Sequence, residues 1–168
     1  MWKNIGAQRP AFALEPGPGQ ESVWDYPRPP ALVPDPRLIE VYADDSLLIS
    51  TRQAYRVLET ASPPTFYLPP EKMLPRSLVS ASGRSFCEWK GEAVYWALEG
   101  SAEPIAWSYP EPSAPFQPIR DYLGFYPGRV RCFVAGERVR PQPGGFYGGW
   151  ITEEIVGPVK GEPGTGHW

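Results

Sequence analysis

The sequence predicts a mainly β protein with one short helix and an extended arm at each end. Of its 168 residues, 23 are proline and 17 are glycine, and proline is excluded from helix interiors and central strands. Short stretches of alternating apolar residues recur between these turn-forming residues, which is typical of strands. The chain is long enough for one domain whose hydrophobic core needs no metal or disulfide support.

Three segments are predicted along the chain. Residues 1–36 form a Pro-rich arm without a periodic apolar pattern, residues 37–140 form the β domain, and residues 141–168 form a Gly-rich arm with spaced aromatic residues. The stretch Trp24–Pro30, WDYPRPP, suits a polyproline-like strip that docks its aromatic rings on the domain. A loose tail is the alternative interpretation of the first segment.

Alternation and turn residues place the elements within the β domain. The predicted strands are Leu38–Tyr42, Ser46–Ser50, Gln53–Glu59, Thr65–Leu68, Leu78–Ser80, Ser85–Trp89, Ala93–Leu98 and Ile105–Trp107. One helix is predicted at Ile119–Phe125, because this stretch follows Pro118 and ends before Pro127.

A hairpin is predicted over Arg129–Arg140, RVRCFVAGERVR. If a two-residue turn lies at Ala135-Gly136 or at Gly136-Glu137, alternation separates a basic face from an apolar face. The basic face then carries Arg129, Arg131, Arg138 and Arg140, and the core face carries Val130, Cys132, Val134 and Val139. Because like charges repel across a hairpin, the basic face is either solvated or neutralised by an acidic protein partner or an acidic arm of the same chain.

Charge and hydropathy exclude several classes of function. The formal net charge is −3, whereas binding to nucleic acid or to an anionic membrane surface requires a basic surplus. No apolar run approaches the roughly 18 residues of a membrane span, and the first residues lack the continuous apolar core of a signal peptide. The sequence therefore predicts a cytoplasmic protein that binds neither nucleic acid nor membrane.

Cysteine and histidine usage limits the chemistry of the protein. Cys87 and Cys132 are too few for a four-cysteine zinc site, and we expect two inert, reduced thiols, with a single bridge as the alternative. His167 is the only histidine and lies outside the predicted β domain, so a Ser–His or Cys–His couple has no base there. No metal and no cofactor are expected.

Arg56 is the first candidate for ligand binding. On its predicted strand, alternation gives it the same face as Ala54 and Leu58, and a guanidinium that faces a core must be paired. It either holds a ligand carboxylate or phosphate, or it braces two strands through a glutamate. The candidate glutamates are Glu59, Glu88 and Glu92.

Lys90 follows Trp89 at a predicted turn and is a second candidate anion contact, or else a turn residue with a solvated amine. A lysine beside a thiol lowers the pKa of that thiol and makes it nucleophilic. Cys87 and Lys90, however, lie three positions apart, and this odd spacing places them on opposite faces of a strand unless a bulge intervenes. We therefore expect Cys87 to be a small buried side chain.

The aromatic residues of this region form a third candidate group. Val94, Trp96 and Leu98 alternate onto a core face, and Tyr95 lies on the opposite face. The rings either pack as core or line a concave pocket closed by Arg56 or Lys90. The candidate ligand-binding residues are Arg56, Tyr67, Lys90, Tyr95, Trp107 and Tyr109.

Three motifs in order resemble the signature of the domain of unknown function 427 family. They are Arg56–Glu71 (RVLETASPPTFYLPPE), Ser85–Trp96 (SFCEWKGEAVYW) and Ala106–Pro112 (AWSYPEP). The resemblance covers roughly Leu38–Arg140 and implies a compact two-sheet β fold of the tent type. Zinc proteins such as methionine sulfoxide reductase B share that fold type, but this chain lacks their metal-binding cysteines.

The resemblance identifies relatives without supplying an activity. Relatives commonly carry a histidine before the Pro-Pro pair, where this chain has Ser62, so chemistry that depends on it is not implied. Some relatives have been labelled nucleotidyltransferase-like, but that reaction needs spaced carboxylates to hold magnesium. Asp44-Asp45 in a predicted turn does not provide them.

The sequence thus favours a protein that binds a small anionic ligand in an aromatic-lined pocket. Two alternatives remain open. The protein is an enzyme that uses Tyr67, Cys87, Lys90 or a glutamate as acid, base or nucleophile, or it is an interaction module that uses the arginine face of the hairpin.

Overall fold

Short β-strands make up most of the ordered secondary structure in the computed structural model, which describes residues 1–74 and 78–168. The strands are β1 Glu21–Ser22, β2 Ala31–Asp35, β3 Ile39–Ala43, β4 Ser46–Thr51, β5 Ala54–Leu58, β6 Thr65–Tyr67, β7 Leu78–Cys87, β8 Gly91–Leu98, β9 Pro104–Ser108, β10 Gly124–Phe125, β11 Arg131–Val134, β12 Glu137–Arg138, β13 Arg140–Pro141, β14 Trp150–Ile151 and β15 Ile155–Val156. Short 3₁₀ helices span Val23–Asp25, Pro70–Lys72 and Ala114–Ile119.

Three antiparallel sheets form the body of the molecule, in the strand orders β10-β9-β8-β7, β12-β11-β3-β4 and β2-β5-β6. Two smaller pairs, β1–β15 and β13–β14, involve the predicted arms. The mainly β class is confirmed, and several small sheets are compatible with the tent type that the resemblance implies. In the described part of the chain, no helix is long and apolar enough to cross a bilayer.

The largest core cluster lies between these sheets and is built from alternating strand residues. Its largest fully buried side chains are Ile39, Val41, Leu48, Ile49, Phe66, Leu68, Phe125 and Trp150. Trp96 and Leu98 pack against the same cluster, as their alternation predicts. The Trp150 indole donates a hydrogen bond to the Phe125 carbonyl at 3.0 Å, so the C-terminal segment contributes directly to the core.

The predicted arginine hairpin is confirmed as strands β11 and β12. Ala135 and Gly136 form its turn with φ angles of 48° and 84°, the left-handed pair that a two-residue hairpin turn requires. The residues assigned to its apolar face are buried: Val130, Cys132, Val134 and Val139.

The helix predicted at Ile119–Phe125 is wrong. A 3₁₀ helix instead ends at Ile119, and Asp121 adopts a φ of 62°, which reverses the chain. Leu123 then exchanges backbone hydrogen bonds with Leu68 at 2.8 and 2.9 Å, and β10 pairs with β9. Long-range strand pairing therefore replaces the local helical hydrogen bonds in this stretch.

The two terminal arms pack against each other through aromatic residues. Trp24 is fully buried, and its indole donates to the Pro158 carbonyl at 3.0 Å. The Phe12 and Trp168 rings lie 5.2 and 5.3 Å from the Trp24 ring, and Ala61 of the β domain belongs to the same cluster. The WDYPRPP stretch is thus docked, in agreement with the first of the two interpretations.

Strand β7 contains a β-bulge. Its register against β8 shifts between Ala81 and Arg84, so Ser82 and Gly83 are extra residues opposite the uninterrupted partner strand. Gly83 has a φ of 101°, which a residue with a side chain rarely adopts. In the sheet formed by the described residues, β7 is the terminal strand.

Candidate functional site

A cavity of about 220 Å³ opens between strands β5–β6, strands β7–β9 and the C-terminal segment. Five of the six predicted site residues line it: Tyr67, Lys90, Tyr95, Trp107 and Tyr109. The structure therefore brings together aromatic residues from three separate motifs of the sequence.

Strand register decides which side chains of β5 and β6 face the cavity. Val57 pairs with Thr65, and both line the cavity together with Tyr67. Arg56 pairs with Phe66, so these two side chains share the opposite face of the sheet.

Arg56 is the predicted site residue that the structure does not bring to the cavity. Its guanidinium forms an ion pair with Glu21 of β1, and its Nε lies 3.5 Å from Asp35 Oδ2. Arg56 therefore braces β5 against the N-terminal arm. This matches the bracing alternative, although its partners are not the glutamates that the sequence suggested.

Lys90 takes the place that was expected for Arg56. It ends the turn between β7 and β8, and only 8% of its surface is exposed. Its ammonium lies 5.7 Å from the centre of the Tyr109 ring and 5.8 Å from that of Phe116. Burial acts to lower the pKa of Lys90, but interactions with Tyr109, Cys87 and Glu59 outweigh it and leave this pKa raised. Lys90 is therefore a cation at neutral pH.

The Lys90 ammonium forms no ion pair with a carboxylate among residues 1–74 and 78–168, although Glu59 attracts it. The only carboxylate in the described lining is Glu59, and its Oε2 accepts a hydrogen bond from Arg28 Nε at 3.0 Å. Arg28 is 7% exposed and also donates to the Thr60 carbonyl at 3.0 Å. Glu59 thus interacts with both Arg28 and Lys90. With Lys160 also in the lining, the cavity has a positive character.

The backbone around Lys90 is fixed by contacts with the segment after β9. The Ser113 amide donates to the Lys90 carbonyl at 3.2 Å, and the Ser113 hydroxyl donates to the Trp89 carbonyl at 2.5 Å. Gly91 has a φ of 104°, and a Cβ added there would lie 3.3 Å from the Glu111 carbonyl oxygen. A glycine is therefore required directly after the lysine.

Neutral phenol groups surround the cavity. Burial raises the pKa of Tyr67 and of Tyr109, and it raises the pKa of Tyr126 to about 12. The Tyr67 hydroxyl accepts a hydrogen bond from Trp107 Nε1 at 3.2 Å. The Tyr95 hydroxyl lies 2.6 Å from Ser85 Oγ. At neutral pH Tyr67, Tyr109 and Tyr126 therefore keep their protons, so their hydroxyl groups are able to donate hydrogen bonds.

Cys87 and Lys90 line the same cavity, so the expectation that they lie on opposite faces is wrong. Cys87 ends β7, and the intervening residues form a turn rather than a strand. Strand alternation stops at the turn, which brings the ammonium back towards the thiol, where the two groups interact. Both cysteines are free thiols.

The C-terminal segment supplies lining residues that the sequence analysis missed. They are Gln142, Phe146, Tyr147, Gly148 and Lys160. Phe146 is 71% exposed at the cavity mouth, and a Cβ at Gly148 would lie 2.2 Å from Trp107 Cη2. Glycines that alternate with aromatic residues in PGGFYGGW were the available signal, because close ring packing demands residues without side chains.

Metal coordination has no support in the described residues, where no group of three or more His, Cys, Asp or Glu side chains is placed to hold an ion. The described lining combines a buried lysine with tyrosine hydroxyls and aromatic walls.

The fold and the site define a mainly β protein with an aromatic cavity built around a buried lysine. The family described as "Domain of unknown function (DUF427)" matches residues 31–136. This match covers more than half of the chain, so the protein belongs to that family. No curated protein matches the chain.

Proposed function

We propose that the protein binds a small anionic ligand in the cavity around Lys90. One observation carries the proposal: Lys90 is 8% exposed, lines the cavity, and forms no ion pair with a carboxylate of the described residues. A hydrogen bond from an ammonium to an ionised carboxylate or phosphate oxygen is stronger than one between neutral groups. An anionic ligand bound beside Lys90 gains such a contact.

The walls of the cavity suit the rest of such a ligand. Tyr67, Tyr95, Trp107 and Tyr109 present ring surfaces, and the tyrosines add hydroxyl groups. Hydrogen bonds from neutral donors to an ionised oxygen are stronger than those between neutral groups. The volume of about 220 Å³ lies below the roughly 300–1,000 Å³ of drug-sized sites. The ligand is accordingly a compact carboxylate or phosphate ester.

A docking role for the arginine face has weaker support. Arg140 forms an ion pair with Glu153 at 2.9 Å, and Arg129 lies 3.6 Å from Glu103. Arg131 lies 3.8 Å from Asp45. Carboxylates of the same chain therefore already neutralise part of this face, and an acidic partner has to compete with them.

A thermal-shift screen over nucleotides, sugar phosphates and small carboxylates, in the presence of a reductant, tests the proposal. Lys90→Met is the key variant, and Lys72→Met makes the same change at an exposed lysine outside the cavity. A ligand at about 100 times its Kd stabilises the folded state by about 2.7 kcal/mol. We expect a compound that raises the Tm of the wild type and of Lys72→Met but not of Lys90→Met.

The ligand-free proteins provide a second readout. Because the surroundings of Lys90 raise its pKa and so favour the ammonium in the folded state, we expect Lys90→Met to lower the unfolding temperature of the ligand-free protein. A screen in which no compound stabilises the wild type contradicts the proposal. So does a compound that stabilises Lys90→Met as much as the wild type.

A further inference from the structure

The anion cavity also contains a thiol. Cys87 and Lys90 both line the cavity and interact with each other, and Glu59, the carboxylate of the lining, is bound by Arg28. The other thiol, Cys132, is 0% exposed in the main core cluster. Cys87 thus lines a cavity beside a cation, whereas Cys132 is enclosed by apolar side chains.

We propose that Cys87 is a reactive thiol that exchanges with small disulfides carrying a carboxylate and so forms a mixed disulfide inside the cavity. This inference rests on the proposed function for the attraction of the anionic group. It adds a covalent modification site and defines the class of compound that modifies it.

Electrostatics favours the approach of an anionic disulfide. A thiolate, not a thiol, attacks a disulfide, and the Lys90 ammonium in the same cavity attracts the carboxylate of the incoming compound. Cys87 and Lys90 line the same cavity and interact with each other, and Glu59, which also interacts with Lys90, is hydrogen-bonded to Arg28. A second cation, Lys160, lines the cavity and is available to the carboxylate of the incoming disulfide.

The exchange is balanced in atoms and electrons. The Cys87 thiol releases its proton to solvent, and the resulting thiolate attacks one sulfur of the disulfide. A new S–S bond forms at Cys87 Sγ while the original S–S bond breaks. The departing sulfur leaves as a thiolate that takes up the electron pair of the broken bond. The small disulfide is therefore the only oxidant that the step needs.

Access also favours Cys87 over Cys132. Cys87 is partly exposed and lies at the end of β7 on the cavity wall. Burial raises the pKa of Cys132, which keeps that thiol protonated. Modification of the native protein is accordingly expected at a single cysteine.

The test uses the full chain and 5,5′-dithiobis(2-nitrobenzoate), an aromatic disulfide with two carboxylates, and follows the release of thionitrobenzoate. We expect one fast equivalent per chain in the wild type and in Cys132→Ala, confirmed at Cys87 by peptide mass spectrometry. In Cys87→Ser we expect the rate to fall by about 100-fold or more, because only a buried thiol remains.

The neutral disulfide 4,4′-dithiodipyridine serves as the control reagent. It depends on access to the thiol but is not attracted by the charge of Lys90. Rates are divided by those of glutathione with the same reagent, which removes the intrinsic reactivity of each disulfide. We expect Lys90→Met to slow the anionic reagent by about tenfold or more, Lys90→Arg to retain most of the rate, and the neutral reagent to be affected less.

Two results overturn this inference. One is modification of Cys132 as fast as Cys87, and the other is an unchanged rate for both reagents in a folded Lys90→Met variant. The comparison of Cys87→Ser with Cys132→Ala shows which cysteine is modified, and it does not depend on whether a Lys90 variant folds. If Cys87→Ser retains the thermal shift caused by an anionic ligand, failure of the exchange leaves the proposed function intact.

Discussion

The side chains of Arg56 and Lys90 are both cations, but they have different neighbours. The Arg56 guanidinium is compensated by Glu21 and Asp35, so its charge holds strands and the N-terminal arm together. Lys90 is surrounded by rings, phenol hydroxyls and a thiol. The sequence alone does not show which of the two cations forms ion pairs, because the partners of Arg56, Glu21 and Asp35, lie more than twenty positions earlier in the chain.

Asp35 gives the molecule an acid-sensitive contact. Its carboxylate is 5% exposed, accepts hydrogen bonds from Arg37 at 2.7 and 3.0 Å, and faces Arg56. Burial acts to raise the pKa of Asp35, but the Arg37 hydrogen bonds outweigh it and hold this pKa below its ordinary value. A depressed folded-state pKa stabilises the fold above the unfolded pKa of about 3.9, and this contribution is lost as pH falls through the folded-state pKa.

We therefore predict that Asp35→Asn lowers the free energy of unfolding by about 1–3 kcal/mol at pH 7. The difference from the wild type shrinks as pH falls below about 4, because the wild-type carboxylate becomes protonated. Urea unfolding at pH 7 and at pH 3 measures it. Asp45→Asn is the control, because the Asp45 side chain is fully exposed, and it should change stability by no more than about 0.5 kcal/mol. A deficit that is independent of pH contradicts this account.

The local motifs predicted most of the site residues but not their grouping. Tyr67 and Arg56 belong to the same motif, yet the pairing of Arg56 with Phe66 sends them to opposite faces of one sheet. A shift of one residue in strand register exchanges the two faces. That register is set by tertiary packing, so the sequence alone could not choose between Arg56 and Lys90 as the cation of the cavity.

Elements with local hydrogen bonds were predicted better than elements with distant ones. The β11–β12 hairpin follows from its turn and its alternation, both of which lie within twelve consecutive residues. The stretch Ile119–Phe125 has the spacing of a helix, but Leu123 pairs with Leu68, more than fifty positions earlier. A pattern within seven residues carries no information about such a partner.

The hairpin turn supports a prediction at the scale of an element. Ala135 has a φ of 48°, and an alanine in the left-handed region costs roughly 1–2 kcal/mol. Asparagine is preferred at the first position of this turn type. We predict that Ala135→Asn stabilises the protein by about 0.5–1 kcal/mol, measured by urea unfolding.

Gly136, the second residue of the turn, provides a substitution with the opposite expected effect on stability. Gly136 has a φ of 84°, with open space around its missing side chain. We expect Gly136→Ala to destabilise the protein by about 1 kcal/mol through backbone strain alone. If both substitutions have the same sign, backbone conformation does not control the stability of this turn.

At the scale of the whole molecule, the two arms hold each other in place. Arg28 Nη2 donates to the Trp168 carbonyl at 3.0 Å, and Arg28 Nη1 donates to the Asn4 carbonyl at 3.1 Å. Because Arg28 also binds Glu59, the same side chain connects both arms to a wall of the cavity. Order in the arms and the shape of the site are therefore coupled.

Trp24 tests this coupling. We predict that Trp24→Ala lowers the free energy of unfolding by about 3–5 kcal/mol, because a fully buried indole is replaced by a cavity. Limited proteolysis of the variant should cut within residues 1–36 and 141–168 before the β domain is degraded. Leu14→Ala, at a side chain that is 58% exposed, should behave like the wild type. Cleavage that begins inside the β domain contradicts the coupling.

The contribution of the C-terminal segment to the cavity was beyond prediction from the sequence. Lys160, Phe146 and Tyr147 reach a site whose recognisable motifs end near Pro112. The β13–β14 pair and the buried side chain of Trp150 hold the C-terminal segment against the cavity. Both are packing events between distant parts of the chain, and neither leaves a short-range pattern.

The bulge in β7 has a consequence for the protein in concentrated solution. The outer backbone groups of a terminal strand are able to template the growth of intermolecular fibrils. The two extra residues, Ser82 and Gly83, interrupt the regular spacing of these N–H and C=O groups near the middle of β7, and a bulge also increases the local twist of the strand. A strand of a second molecule could therefore pair regularly only with the short stretches of β7 before and after the bulge. The bulge thus disfavours edge-to-edge association of two molecules.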